Sequence, residues 1–348
     1  MSKLTITDVA KYAKVSIATV SRVINDVPNV KPDFRERVQK AIKELDFKPN
    51  QLARGLKNDI THTIGVIISD IGDPIFTSII RKIEECVSDF GYTMIIVSSD
   101  NSPEKENKYI KIMQEKRVDG IIISSTGKNE DYLYSIKNSG IPVVLLDRKP
   151  MRLKFDAVYM DKRKAIYDLA NLLINKGHRK IVLATGQKEM PTNFDRYIGC
   201  VQAHYAANLP FDESLVMYGD FSEEHGRNVL EKVMKQVDKP TAIISVGVKI
   251  TSGILLEANK MHIKIPDDLS LVSYGNIDLG DLIDPLLTHV EPLTEKIGML
   301  VGDTIIKRML NPFNDSVEEI VLEVGITEGK SVREFSLIDE GSKMMCLD

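Results

Sequence analysis

TITDVAKYAKVSIATVSRVIND, residues 5–26, is the stretch whose reading decides the fold. Thr5-Ile6-Thr7-Asp8 fits a capping box, with an acid placed in the first turn at the positive end of a helix. Val9, Ala10 and Ala13 then give a short apolar face. Ser16 is a second N-cap candidate. In the helix it opens, Val20, Val23 and Ile24 share one face, while Ile17, Ala18, Ser21, Arg22 and Asn25 lie off it. Two short capped helices separated by a three-to-four-residue turn make a helix-turn-helix, with Ala10 small at their crossing. A third helix starts near Pro32, a favoured first-turn residue. Its Phe34, Val38, Ala41, Ile42 and Leu45 recur at helical spacing and cover the apolar face of the first two.

Charge is distributed unevenly around this head. Residues 1–60 carry 12 Lys+Arg against 7 Asp+Glu, whereas the whole chain of 348 residues has a net charge of −4. A basic piece on an acidic body suits a nucleic-acid reader joined to a separate sensing domain. The segment Lys48-Pro49-Asn50-Gln51-Leu52-Ala53-Arg54-Gly55-Leu56-Lys57 is too polar for a buried helix and too short to be helical alone in water. It reads either as a linker or as a segment that folds on a partner.

Residues 4–58, through TITDVAKYAKVSIATVSRVIND and KPNQLARGLK, resemble the head of the lactose-repressor/galactose-repressor (LacI/GalR) family without a gap. The resemblance implies a second helix in the DNA major groove and a hinge helix that forms on operator DNA and wedges a leucine into the minor groove. It assigns base-reading roles to Ile17, Ala18 and Arg22, the wedge to Leu56, and a minor-groove or phosphate contact to Arg54. Arg can pair bidentately with guanine O6 and N7, and Ile and Ala can touch a thymine methyl. Thr5, Ser16, Thr19, Ser21 and Asn25 are the polar types that hold phosphates, and Asn50 joins the expected DNA contacts at the hinge. The Ile17-Ala18 pair is more similar to the carbon-catabolite-control branch, which implies a pseudo-palindromic operator with a central CG step.

From residue 61 the pattern changes to alternating strands and helices. His62–Ser69, Tyr92–Ser98, Asp119–Ser124 and Ile141–Leu146 read as buried strands, with helices over Phe76–Phe90 and Glu104–Glu115. The pattern restarts after residue 161: helix Ala165–Lys176, strand Lys180–Ala184, helix Arg196–Ala207, then strands Thr241–Val246 and Leu269–Tyr274. The expected organisation is a helix-turn-helix domain at 1–47, a hinge helix and linker at 48–60, a two-lobed α/β effector and dimerisation domain at 61–330, and a tail at 331–348. Ligands of such sheets bind beyond the carboxyl ends of the strands, hence between the lobes. The landmarks IGVIISDIGDPIF, VDGIIIS, GIPVVLLDR, GHRKIVLATG, NFDRYIGC, PTAIISV and IPDDLSLVSYGN extend the resemblance to this body and to the periplasmic sugar-binding fold. By position it implies effector contacts at Asp73, Phe76, Ser124, Asp161, Arg196, Phe221 and Gly275. Asp73 could equally be a turn residue before Pro74, Phe76 could be core, and Asp161 could cap the next helix.

Two departures from the family pattern bear on the ligand. Where sugar-sensing members carry Asn-Asp after the PTAI strand, this chain has Gly247-Val248; where they carry Asp-Asp after the later strand, it has Gly275-Asn276. Fewer carboxylates point to a larger ligand or an anionic one, such as a sugar acid or sugar phosphate, which Lys249 and His289 would suit.

Other classes are excluded on motif grounds. There is no G-x-G-x-x-G, Walker A, H-E-x-x-H or nucleophile elbow, and Gly186-Gln187-Lys188 is only a fragment of a phosphate loop, so no enzyme and no cofactor is expected. Cys86, Cys200 and Cys346 have no metal or redox spacing. No apolar run approaches a membrane span and no secretory signal opens the chain, so a cytoplasmic place is expected. A secreted solute-binding protein is the alternative that shares the body, and the basic head argues against it. Ser331–Asp348 lacks leucine heptads, so a homodimer on a palindrome is expected rather than a coiled-coil tetramer. The expected partners are thus double-stranded operator DNA, a small-molecule effector, a second copy of the chain, and conceivably a protein co-effector as in the catabolite-control branch. The function implied is repression of carbohydrate-metabolism genes.

Overall fold

The computed structural model describes residues 6–24, 30–45, 60–277, 284–311 and 316–335. The chain folds as two compact units, Met1–Thr61 and His62–Asp348.

In the first unit, α1 (Ile6–Ala13), α2 (Ile17–Ile24) and α3 (Pro32–Glu44) enclose Val9, Ala10, Ala13, Val20, Val23, Val38 and Ala41. The α1–α2 turn is possible because Lys14 takes a left-handed backbone at φ 51°. Ser16 caps α2, its Oγ accepting from the Thr19 amide at 3.1 Å. Arg37 on α3 donates to the Ala13 and Lys14 carbonyls at 2.5 and 2.9 Å, which satisfies the C-terminus of α1 and ties the third helix to the first.

The second unit contains two six-stranded sheets. Its first lobe orders β2 (Thr93–Ser98), β1 (Thr63–Ile68), β3 (Gly120–Ile123), β4 (Val143–Leu146), β5 (Asp156–Met160) and β11 (Glu319–Leu322), all parallel. The second lobe orders β7 (Val216–Tyr218), β6 (Ile181–Thr185), β8 (Ala242–Ser245), β9 (Ser270–Tyr274), β10 (Thr288–Val290) and β12 (Ile326–Thr327), with only β12 antiparallel. The helices are α4 (Pro74–Ser88), α5 (Pro103–Glu115), α6 (Glu130–Asn138), α7 (Lys162–Asn175), α8 (Pro191–Ala206), α9 (Glu223–Met234), α10 (Val248–Lys260) and α11 (Thr294–Leu310).

The near-continuous apolar runs follow from burial on both faces of a strand. Ile64, Val66, Ile68, Ile122, Val144 and Leu146 belong to one core with α4, while Ile67, Ile121, Ile123, Val143 and Leu145 belong to another with α5 and α6. In both lobes the strand order reverses beside the first strand, between β1 and β3 and between β6 and β8, which opens a crevice at the carboxyl ends.

The strand–helix pattern restarts once, after residue 161, but the two lobes are not consecutive along the chain. After β10 the chain returns to the first lobe, where α11 packs on α4 and β11 completes the sheet, and then crosses again to form β12. The lobes are therefore joined by three crossings, after β5, β10 and β11. The first and third are hydrogen-bonded, Asp161 N to Leu322 O at 3.0 Å, and Glu291 N of the second donates to Gly325 O at 3.2 Å. Residues 331–335, read from sequence as the start of a tail, run along the second sheet: Ser331 is buried and donates to the Leu271 carbonyl at 2.5 Å, and Phe335 packs edge-on against His178.

Candidate functional site

Helix α2 buries Val20 and Val23 and turns Ile17, Ala18 and Arg22 to solvent. Ile17 is 48% exposed and so is free to make apolar contacts from this face. Ser16 and Thr19 stand at the start of the same helix with their hydroxyl oxygens 2.8 Å apart. Ser21 lies on α2 as well. Lys11 and Lys14 are also exposed. Thr5, Asn25, Asn50, Arg54 and Leu56, and the hinge segment as far as residue 59, lie outside the described residues.

The second candidate is the crevice between the two lobes of the second unit. Its lining comes from the carboxyl ends of strands and the helices that follow them: in the first lobe Ser69, Asp70, Asp73 and Phe76 after β1, Asn101 after β2, and Asp147 and Arg148 after β4. The second lobe adds Lys162 on α7, Thr192 and Arg196 on α8, Phe221 after β7, Gly247–Lys249 after β8, and Tyr274 on β9.

Arg196 is the organising side chain. Pro191 starts α8 earlier than the expected Arg196, so the arginine sits in the second turn and projects from a formed helix. Its guanidinium lies 5.5 Å from the Phe221 ring centre and 5.3 Å from that of Tyr274, and Nη1 donates to Asn193 Oδ1 at 2.7 Å. Burial pushes its pKa down from the usual guanidinium value.

Two further buried cations were not singled out from sequence. Arg148 donates to the Ser125 carbonyl at 2.9 Å and to Asn101 Oδ1. Lys162 donates to Asp147 Oδ1 at 2.7 Å. Burial depresses the pKa of both; Asp147 opposes this in both and Glu106 in Arg148, while the charge of Arg196 adds to it in both and that of Arg148 in Lys162. The signal that could have found them was present: Asp147-Arg148 ends the GIPVVLLDR landmark, at the carboxyl end of a buried strand, where open α/β sheets place ligands. Without the register of β4 that end cannot be told from an ordinary turn.

The other expected contacts are distributed as follows. Asp73 lines the crevice and also caps α4, accepting from the Ile75 amide at 3.0 Å; burial raises its pKa despite that bond. Phe76 lines the crevice and is part of the first lobe's core. Asp161 caps α7 through the Lys164 amide at 2.9 Å and faces an adjoining cavity of about 320 Å³, which shares Asp147, Arg148, Met160, Lys162 and Thr192 with the crevice. Ser124, fully buried with an unpartnered Oγ, and Gly275 line neither space. Gly275 has φ +99°, and an added Cβ would stand 3.2 Å from Val248 Cγ2, so this position holds a glycine for backbone reasons. Lys249 crosses the mouth of the crevice to Asp70 of the first lobe at 2.7 Å. His289 is buried instead, its ring nitrogens 3.0 Å from the Leu287 carbonyl and 3.0 Å from the Glu291 carboxylate.

Comparison with known proteins agrees with this division. Residues 5–50 match the model for bacterial regulatory proteins of the lacI family, and residues 61–327 match the model for periplasmic binding proteins and the sugar-binding domain of the LacI family. Catabolite control protein A of Priestia megaterium is 34% identical over 314 residues, covering 90% of this chain and 95% of that protein. The HTH-type transcriptional repressor PurR of Klebsiella pneumoniae (strain 342) is 32% identical over 337 residues, covering 96% and 98%. Among solved structures, the transcription regulator CcpA of Lactococcus lactis superposes with a TM-score of 0.70 at 29% identity, over 78% of this chain and 99% of that one.

Proposed function

The chain belongs to the LacI family of bacterial regulatory proteins, and from that premise we propose that this DNA-binding transcriptional regulator represses carbohydrate-metabolism genes under the control of a small molecule held between its lobes. The observation that carries the proposal is the pairing of an outward α2 face, Ile17, Ala18 and Arg22, with a built interlobe crevice around Arg196. No motif for catalysis accompanies that crevice.

On this reading Ile17, Ala18 and Arg22 meet base edges, and Ser16, Thr19 and Ser21 hold phosphates. Thr5, Asn25, Asn50 and Arg54 add backbone or minor-groove contacts, and Leu56 wedges a base step, on the strength of the sequence resemblance alone. Asp73, Phe76, Arg196 and Phe221 contact the effector directly. Asp161, Ser124 and Gly275 act at its edge or through the residues that do. The protein binds a pseudo-palindrome as a homodimer, because one short recognition helix reads too few bases. Acting on chromosomal DNA, it works in the cytoplasm.

An effector changes operator affinity only through its differential affinity for two arrangements of the lobes. The test is operator selection from random DNA with the full-length protein, repeated with a panel of sugars, sugar acids and sugar phosphates. An enriched palindrome whose retention changes with one metabolite class supports the reading. Retention of random and selected DNA alike overturns it.

A further inference from the structure

We propose that the interlobe crevice takes an anionic ligand, a carboxylated or phosphorylated sugar, whose charged group sits against Arg148, Lys162 and Arg196. This rests on the reading of the crevice as the effector site and specifies its ligand class.

The argument begins with charge. Arg148, Lys162 and Arg196 are each at least nine-tenths buried, and all three line the crevice. A buried cation is normally paired. Lys162 has Asp147, but neither Arg148 nor Arg196 forms an ion pair among the described residues. Their hydrogen-bond acceptors among the described residues are neutral: the Ser125 carbonyl, Asn101 Oδ1 and Asn193 Oδ1. The Nε atoms of both guanidiniums are buried without a partner. Asp147 and Glu106 act on Arg148, and Asp147, Asp73 and Asp195 on Arg196, only from beyond ion-pair distance, while Asp70 is paired with Lys249 and Asp73 accepts from the Ile75 amide.

In the second lobe no carboxylate among the described residues lines the crevice beside Arg196, and Asp195, next to it on α8, pairs with Lys149 and Arg163. Gly247 and Val248 follow β8, and Gly275 follows β9 where its left-handed backbone disfavours a side chain. An anion on the ligand gives Arg148 and Arg196 the direct ion-pair partner that the acids near them do not, and Arg forms bidentate pairs with carboxylate and phosphate. Phe221, stacked beside Arg196, leaves an apolar face for a sugar ring next to that anion.

The test uses the full-length protein in thermal-shift and calorimetric titrations with matched pairs: glucose, gluconate and glucose 6-phosphate; ribose and ribose 5-phosphate; galactose and galacturonate. Inorganic phosphate against chloride at equal ionic strength serves as a probe that requires no correct sugar. Phosphate is expected to raise Tm above chloride, and at least one anionic sugar to bind at least tenfold more tightly than its neutral parent. Both preferences should be lost in Arg148→Gln, retained in Arg148→Lys, and unaffected in Lys239→Gln, which removes an exposed charge. If Arg148→Gln does not fold, Arg196→Lys takes its place and should weaken binding by losing the bidentate geometry while keeping the charge.

Tighter binding by neutral sugars than by their anionic partners overturns the anionic class and leaves the effector site standing. No difference between phosphate and chloride, with no anionic sugar bound, also overturns it. Anion binding that persists undiminished in both Arg148→Gln and Arg196→Lys puts the ligand outside the crevice and overturns the site assignment itself.

Discussion

Arg22 is exposed on a helix whose opposite face is buried, so its substitution can be read without a large stability change. Arg22→Ala should remove about 1–3 kcal/mol of discrimination at one base pair of each half-site. In competition titrations this appears as relaxed preference there, with nonspecific binding reduced by the loss of one charge at most. His178 makes a different residue-scale prediction. Burial pushes its pKa down to about 4, aided by the charges of Arg179 and Arg333 and opposed by its bond to the Arg333 carbonyl. The unfolded chain titrates near 6.5, so between about 6.5 and about 4 it binds a proton that the folded protein does not. Stability should therefore fall as pH drops through that window, by roughly 2–3 kcal/mol from this group. Thermal melts of His178→Gln should lose this part of the slope; an unchanged profile would show that other groups carry it.

At the scale of elements, helix pairs in the second lobe meet through glycine. An added Cβ at Gly226 on α9 would stand 2.1 Å from the Ile250 carbonyl of α10, and one at Gly253 on α10 would stand 2.0 Å from the Glu223 carbonyl of α9. These are backbone atoms, so the helices must separate to admit it. Gly253→Ala should cost about 1–3 kcal/mol or more, the range for overpacking, and lower Tm by several degrees. The head offers a milder case. Ser16→Ala removes the cap of α2 and should cost about 1 kcal/mol of head stability, measured by chemical denaturation followed through helical signal. The signals for these elements were uneven in the sequence. Ser16, Pro32 and the runs HTIGVIIS and TAIISV could be read directly, because caps and apolar runs are local. Helices α6, α9, α10 and α11 were not recognised, since nothing local distinguishes their faces from surface until the partner sheet is known.

For the whole molecule, the consequential feature is that both lobes share three crossings and face each other over one crevice. The Asp70–Lys249 pair bridges its mouth with both side chains about one-third exposed, 34% and 37%. An ion pair so placed is worth about 1 kcal/mol at most. Lys249→Gln should thus raise amide hydrogen exchange of residues 70–73 and 247–250 by up to about fivefold without lowering Tm noticeably. Unchanged exchange would mean that packing and the other interlobe ion pairs hold the lobes together. Lys149–Asp195 at 2.8 Å and the buried Lys162–Asp147 at 2.7 Å are such pairs and limit how far a single substitution can act.

The sequence by itself determined the helix-turn-helix, the doubly wound α/β class and the family, because caps, turn spacing and buried runs are properties of neighbouring residues. It also marked Arg196, Phe221 and the missing polar contacts, one of them a carboxylate, at Gly247 and Gly275. Only the tertiary structure decided that α11 and β11 belong to the first lobe, that Asp161 caps α7 while facing the adjoining cavity, and that Arg148 and Lys162 stand with Arg196. The physical reason is that strand pairing and burial join residues more than a hundred positions apart: β11 beside β5, and Asp70 beside Lys249. An arginine at a strand end has no charge environment until those pairings set what surrounds it. In this protein they give Arg148 neutral hydrogen-bond acceptors, with Asp147, Glu106 and the cation Arg196 nearby but neither acid in an ion pair with it.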